Sequence, residues 1–103
     1  MRIKRKSTIQ VRLEELTGEA LSLGMLMRAI RDGEEWSLAD MGAKLRVTRA
    51  HVAAIENGKP VSAEAAARYA RALRYSPEQF VRLALQDEVQ RAGLHYRIDV
   101  SAA

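Results

Sequence analysis

Cysteine is absent from this sequence, and histidine occurs only twice, at positions 51 and 95. Without cysteine, disulfide bonds, thiol catalysis and cysteine-based zinc sites are excluded. The two histidines lack the HExxH spacing that sets two metal ligands on one helix face. We therefore expect no metal and no other cofactor.

Long apolar runs are missing as well. No stretch approaches the ~20 apolar residues of a membrane-spanning helix. The basic start is followed by Ser7, Thr8 and alternating polar residues, unlike a signal peptide. We expect a cytoplasmic protein with no membrane partner. Its 103 residues, 48% of them hydrophobic, predict one small domain with a core of its own.

Residues suited to acid–base catalysis are few and poorly placed. Adjacent acids such as Glu14–Glu15, Glu34–Glu35 and Asp87–Glu88 cannot face each other across a cleft. The sequence contains no glycine-rich phosphate loop and no nucleophile elbow. We therefore expect a protein that is not an enzyme.

Positive charge is concentrated in two short segments. The first is an N-terminal arm of four basic residues, Arg2, Lys4, Arg5 and Lys6. The second is segment 44–59, with four basic residues and one acid, whereas 7–43 carries −4 and 60–103 carries +1. Such clustering indicates a polyanionic partner. For the arm, a solvated tail that binds nothing is the alternative.

Capping residues and apolar spacing predict five helices. Hydroxyl residues that accept hydrogen bonds from a first helical turn mark four starts: Ser37, Thr48, Ser62 and Ser76. Asp40 completes a capping-box pattern with Ser37, and Pro77 follows Ser76 at the first helical position. An apolar stripe from about Gly18 predicts the remaining helix. Glycine tolerates a left-handed cap, so helix ends are expected at Gly33, Gly58 and Gly93.

Two segments outside the helices, 9–13 and 96–100, alternate apolar and polar residues with the period of a strand. Because a lone strand cannot satisfy its backbone hydrogen bonds, they would pair with each other or across a two-fold axis with a second subunit. Two alternatives stay open. Ile9, Leu13 and Leu16 would also line one face of a helix, and both segments would otherwise be disordered tails.

Segment 37–58 has the pattern of a helix-turn-helix: a short helix, a tight turn and a second short helix that ends at Gly58. In such a motif the second helix enters the major groove of DNA with its N-terminal residues toward the base edges, and the first helix braces it. Val47, Val52 and Ile55 are placed to hold the second helix to the core.

These residues resemble the Cro/repressor-like (Xre-type) helix-turn-helix DNA-binding family. The matching residues are Gly24 to Arg31, Trp36–Ser37, Met41–Gly42, Val47–Thr48, Val52 and, most specifically, Ile55-Glu56-Asn57-Gly58-Lys59. The resemblance covers residues from about 23 to 76. It implies a five-helix lambda-repressor-like DNA-binding bundle. With the two alternating segments added, the expected fold is mainly α, with short candidate β-strands at the N- and C-terminal ends. The resemblance also implies a transcriptional regulator, commonly dimeric, in a bacterial or phage-like cytoplasm.

The chain departs from this family at three positions. Leu38 stands where the family usually has a glutamine that touches a phosphate, and Ala53 stands where it often has serine. Arg46 stands where the turn usually has glycine, so we expect Arg46 at positive φ if the turn keeps its usual shape, at a cost of ~1 kcal/mol or more. The changes at Leu38 and Ala53 remove two polar contacts to DNA.

The expected organisation has three parts. A basic arm and candidate strand occupy residues 1–17, the DNA-binding bundle occupies 18–92 with its motif at 37–58, and a candidate strand for dimerisation occupies 93–103. We expect a homodimer that reads double-stranded DNA. One alternative is an antitoxin that represses its own operon, as many relatives of this family do, with the terminal segments adding a strand to a toxin's sheet. The other is an interaction module that no longer binds DNA.

The expected DNA contacts surround the second helix of the motif. The base-contacting residues are Arg49, Ala50, His51 and Ala53. The phosphate-contacting residues are Arg28, Ser37, Lys44, Arg46, Thr48 and Lys59. The N-terminal arm adds phosphate or minor-groove contacts.

Each of these assignments has a structural alternative. Arg49 would instead contact a phosphate or form a surface ion pair, and Thr48 would serve as a helix cap. Arg28 and Arg31 would brace the bundle against acids such as Asp32 or Asp40. His51 would simply be exposed, and the remaining cations would be solvated. We expect a core position for Trp36, and structural roles for Glu56 and Asn57.

Overall fold

The computed structural model describes residues 21–103, which form five helices. They are α1 (Leu23–Gly33), α2 (Leu38–Leu45), α3 (Arg49–Glu56), α4 (Ala63–Leu73) and α5 (Pro77–Arg91). The mainly α, five-helix fold predicted from the sequence is confirmed. The predicted arm at 2–6 and strand at 9–13 lie outside the described residues. None of the described helices has the length and apolar character needed to cross a membrane.

Each helix begins after a hydroxyl side chain that accepts a hydrogen bond from the backbone N–H three residues on. These caps are Ser22, Ser37, Thr48, Ser62 and Ser76. The four predicted caps are confirmed. Ser37 and Asp40 form a reciprocal capping box, with the Asp40 N–H donating to Ser37 Oγ at 3.0 Å and the Ser37 N–H donating to Asp40 Oδ2 at 2.9 Å.

The helices also end alike, each with a left-handed residue followed by a backbone N–H that bonds to a carbonyl five residues back. The left-handed residues are Glu35, Arg46, Gly58, Arg74 and Gly93. Their closing bonds run from Trp36 to Arg31, Val47 to Gly42, Lys59 to Ala54, Tyr75 to Ala70 and Leu94 to Val89. The predictions for Gly58, Gly93 and Arg46 are confirmed. The predicted end of α1 at Gly33 is also confirmed, but its left-handed residue is Glu35, two positions later, and not Gly33.

The core lies where all five helices meet. α4 packs on α5 and α2, α3 packs on α1 and α2, and α1 packs on α5. The largest fully buried side chains are Phe80, Leu23, Leu26, Met27, Ile30, Met41, Ile55, Leu83 and Val52. Buried Ala66 and Ala70 leave room for neighbouring helices to approach α4. The core therefore places α3 between α1 and α2, with one face toward solvent.

Two glycines set how closely the other helices approach α3. A Cβ atom on Gly24 of α1 would overlap the carbonyl oxygen of Ile55 and would lie 3.2 Å from that of Glu56. A Cβ atom on Gly42 of α2 would lie 2.6 Å from the carbonyl oxygen of Val47. Backbone thus meets backbone at both contacts, and no side chain of ordinary size fits between them.

Residues 94–103 form no strand, so the strand predicted at 96–100 is not found in this chain by itself. A strand needs a second strand as its hydrogen-bond partner, and residues 21–103 provide none. The side-chain amide of Gln86 on α5 bonds to this segment instead. It donates to the Tyr96 carbonyl at 2.7 Å and accepts from the Ile98 N–H at 2.8 Å.

Candidate nucleic-acid interface

α3 has one face in the core and one face toward solvent. Val52 and Ile55 are buried, whereas Arg49 and Ala50 are exposed. At 100° per residue, Ala50 lies opposite the buried pair, with Arg49 and His51 on either side of it. The outer face of α3 is therefore short, contains two small residues and a basic one, and is open to solvent in the described part of the chain. Ala53 and His51 are half-buried at its margins.

Two helix N-termini lie within the motif. Ser37 caps α2, and Thr48 caps α3 by accepting from the His51 N–H at 3.0 Å. Both caps are exposed. The first-turn amides of a helix carry partial positive charge, which suits a phosphate oxygen. Thr48 thus has the capping role that was considered for it. The cap uses the Thr48 side chain, so the Thr48 backbone N–H stays available to an anion.

Two cations of the motif are held at its surface by specific contacts. The Lys44 ammonium lies 4.5 Å from the centre of the Trp36 ring, and the Lys59 ammonium lies 3.3 Å from Nδ1 of His51. Arg46 is exposed in the left-handed turn between α2 and α3. Trp36, expected in the core, is only partly buried, because its ring packs on the core's edge and supports Lys44.

The C-terminal end of α3 is fastened by an ion pair that the sequence patterns did not reveal. Arg31 Nε donates to Glu56 Oε2 at 2.7 Å, and Arg31 Nη2 donates to Glu56 Oε1 at 3.0 Å. Arg31 Nη1 also donates to the Trp36 carbonyl at 3.2 Å. The Glu56 side chain is 6% exposed and that of Arg31 is 15% exposed. Hydrogen bonding to Glu56 is the main cause that raises the pKa of Arg31, against the opposing effect of burial.

This pair joins three elements: α1, the loop before α2 and the end of α3. Bidentate arginine–carboxylate geometry fixes direction as well as distance. The structural role expected for Glu56 is therefore observed. Arg31 also lies 3.8 Å from Asp32, one of the acids considered for it. Arg28 pairs with Asp32 at 3.9 Å with both side chains mostly exposed, so Arg28 has the bracing contact that was its alternative.

The inward direction of Glu56 changes the charge that segment 44–59 presents to solvent. Glu56 is the only acid of that segment. Its carboxylate is turned to Arg31 and nearly buried, while Lys44, Arg46, Arg49 and Lys59 are exposed. The exposed charges of this segment are thus all positive, and they lie on α3 and in the residues directly before and after it.

The chain matches the family model of a helix-turn-helix domain over residues 22–83, which is more than half of its length. The matched region includes both helices of the motif, the turn at Arg46 and the ion pair of Arg31 with Glu56. No curated protein and no solved structure gives a significant match. The resemblance seen in the sequence is confirmed, and the chain belongs to the helix-turn-helix domain family, whose fold supports a DNA-binding regulator.

Proposed function

We propose that this protein is a sequence-specific transcriptional regulator that binds double-stranded DNA as a homodimer, with α3 of each subunit in the major groove. One observation carries the proposal: the exposed charges of segment 44–59 are all positive and lie on or next to α3 in the sequence, and the outer face of α3 is open to solvent. An α-helix that enters the major groove needs such a face, and phosphates on both sides of the groove need the cations.

The base contacts are assigned to four residues of α3. The Arg49 guanidinium fits the two acceptors on the major-groove edge of guanine, a contact that contributes ~1–3 kcal/mol of discrimination. Ala50 and Ala53 allow close approach and apolar contact with a thymine methyl group. His51 reaches a base or a neighbouring phosphate from the side of the helix nearer Lys59.

The phosphate contacts are assigned to cations and helix N-termini at both ends of α3. Lys44 and Arg46 precede the helix and Lys59 follows it, while Ser37 and Thr48 present the starts of α2 and α3. Arg28 joins this set only if DNA displaces its exposed contact with Asp32. The arm at residues 2–6 adds further contacts along the duplex.

The proposal is tested by measuring affinity for a random pool of duplexes as salt is varied. Binding should weaken steeply from low to physiological salt, because each phosphate contact releases a counterion and contributes about −0.9 to the logarithmic slope. Sequencing of the bound pool should show two half-sites separated by about one helical turn, ~34 Å. Affinity that is absent at micromolar protein, or unchanged by salt, contradicts the proposal.

Two single substitutions separate base reading from phosphate anchoring. Arg49→Ala should relax sequence preference, whereas Lys59→Ala should weaken binding to every sequence alike and reduce the salt slope by about 1 per subunit. Arg91→Ala, which removes an exposed arginine from α5, is the matched control and should change neither quantity. An equal loss on all sequences for Arg49→Ala would assign Arg49 to a phosphate.

A further inference from the structure

The C-terminal segment carries an apolar surface that the DNA-binding role does not use. Leu94 is 47% exposed and Tyr96 is 67% exposed, and they are the exposed large hydrophobic residues of the described chain. Ile98 and Val100, further along, are half-buried. The hydrogen bonds from Gln86 hold the segment to α5 at Tyr96 and Ile98.

Those two hydrogen bonds define an edge of the segment. In an extended chain, residues two apart present their N–H and C=O groups on the same edge. Gln86 therefore occupies the edge of Tyr96 and Ile98, and the opposite edge belongs to Arg97 and Asp99. Within residues 21–103, no hydrogen bond or ion pair involves Arg97 or Asp99. Unpaired edges of this kind are a template for another strand.

We propose that this edge pairs with the same edge of a second copy of the chain, as two antiparallel strands related by a two-fold axis at Ile98. The sequence of residues 96–100 is complementary to itself about that axis. Arg97 lies opposite Asp99 of the other copy, and Tyr96 lies opposite its Val100 on the other face. Ile98 meets its own counterpart at the axis.

The backbone and the side chains of this segment select the same register. With the axis at Ile98, Arg97 and Asp99 form the hydrogen-bonded pairs, and Ile98 forms the central non-hydrogen-bonded pair, where side chains approach most closely. A slip of one residue sets charged side chains opposite apolar ones. A slip of two sets Arg97 against Arg97, or Asp99 against Asp99. Opposite charges and apolar pairs thus coincide in a single register.

This inference rests on the proposed function, because it takes the homodimer as given and names the surface through which the two subunits pair. A two-stranded ribbon alone is only marginally stable, so we expect a weak dimer with a Kd on the order of 10 µM, supported by the Gln86 hydrogen bonds that hold each strand to α5. DNA with two half-sites strengthens such a dimer by linking the two subunits.

The test is a charge reversal on the full chain, followed by sedimentation equilibrium without DNA. Arg97→Glu alone and Asp99→Lys alone each set like charges opposite each other, so each variant should dimerise at least about tenfold more weakly than the wild type. An equimolar mixture of the two variants restores opposite charges at both pairs and should recover dimers. Glu88→Lys reverses an exposed charge on α5 and is the matched control, with no expected effect.

Three results would overturn the inference: a wild type that stays monomeric at about 100 µM, variants that dimerise as tightly as the wild type, or a mixture that does not recover. In the first case the edge belongs to another protein, such as the toxin partner of the alternative function. Recovery in the mixture also shows that the variants fold. The duplex-binding experiment is a separate test. If dimers are absent but salt-sensitive DNA binding is present, only this interface is refuted. If dimers form but DNA binding is absent, only the DNA-binding role is refuted.

Discussion

The two ends of α3 are held in different ways. At its C-terminal end, Ile55 is buried, Gly24 lets the backbone of α1 touch its carbonyls, and Glu56 bonds to Arg31. At its N-terminal end, Arg49 and Ala50 are exposed, and the side-chain bonds seen among residues 21–103 are the Thr48 cap and the surface contact of His51 with Lys59. One short helix therefore has an end that orients it and an end that is available to a ligand.

This difference shows how eight residues can be both rigid and exposed. A surface that contacts a ligand is more precise when its supporting contacts lie elsewhere in the scaffold. Here the support is a contact between backbones and a nearly buried ion pair at one end of α3. Damage to that end should change stability first, and damage to the other end should change binding alone.

Loss of the Glu56 carboxylate should produce the largest effect. Glu56→Ala leaves the Arg31 guanidinium without its partner in a mostly buried place, so we expect a loss of about 3 kcal/mol in the free energy of unfolding. Urea unfolding measures it, with Glu88→Ala as an exposed control that should stay within about 0.5 kcal/mol of the wild type.

The double variant Arg31→Met with Glu56→Leu distinguishes charge burial from lost volume. It removes both charges and fills the space with apolar groups, so it should recover most of the stability. A Glu56→Ala variant as stable as the control would mean that the ion pair does not fasten α3.

The contact at Gly24 should give the next largest effect. Gly24→Ala forces the backbones of α1 and α3 apart, because its Cβ overlaps the Ile55 carbonyl oxygen, and we expect a loss of about 2 kcal/mol. Thermal or urea unfolding checks this value. Gly33→Ala is the matched control in the same helix, where φ is not positive and the residue is exposed, and it should be neutral or slightly stabilising. Equal outcomes for both variants would show that the approach of α1 is not tight.

Arg46→Gly should separate stability from binding. Arg46 has φ 62° and ψ 44°, a left-handed conformation in which glycine is unstrained, so the variant should gain about 1 kcal/mol of stability. It also removes a proposed phosphate contact, so affinity for DNA should fall. Arg74→Gly is the matched control, because Arg74 has the same conformation at the end of α4. Arg74→Gly should gain the same stability with no change in affinity for DNA. If Arg74→Gly loses as much affinity as Arg46→Gly, the loss does not arise from a phosphate contact, and Arg46 is not part of the interface.

The smallest expected effect is a pH dependence at the start of α2. Hydrogen bonding from the Ser37 N–H, assisted by the Ser37 side chain, lowers the pKa of the Asp40 carboxyl. Its contribution to stability is therefore present above the unfolded value of ~3.9 and is lost as the pH falls through the lowered folded pKa. The stability difference between wild type and Asp40→Ala, from urea midpoints at pH 7 and below pH ~3, should shrink in acid.

Asp87 should give the stability a pH dependence of the opposite sign, measurable in the same urea experiments. Burial raises the pKa of the Asp87 carboxyl, and a hydrogen bond from the Leu23 N–H opposes this effect. Stability should therefore fall as the pH rises from the ordinary aspartate pKa through the raised one. Asp87→Asn keeps an acceptor for Leu23 and should remove this fall. Identical pH profiles for the Asp40 and Asp87 variants would contradict both assignments.

Local chemistry in the sequence predicted much of this fold. The caps at Ser37, Thr48, Ser62 and Ser76 and the glycine ends at Gly58 and Gly93 depend on residues within one helical turn, so a single stretch of sequence contains the whole signal. The family resemblance indicates that Arg46 stands at the turn position that usually holds glycine, and the positive φ of Arg46 was predicted from that. The open face of α3 followed from the spacing of Val52 and Ile55.

Contacts between distant residues could not be predicted in this way. Arg31 and Glu56 are 25 positions apart, whereas the acids considered as partners of Arg31, Asp32 and Asp40, lie much nearer in the sequence. The end of α1 at Gly33 was predicted, but its left-handed residue was not, because that residue is Glu35 and not a glycine. The roles assigned to the DNA-contacting residues, and the division into segments 1–17, 18–92 and 93–103, stay predictions.

The open face of α3 has a consequence for how this protein changes over time or in the laboratory. Arg49 and Ala50 lie outside the core, so replacing them alters no packing contact and should cost almost no stability. Under the proposed function, base preference can therefore be changed one residue at a time, by substitutions that leave the scaffold as it is and the variants folded.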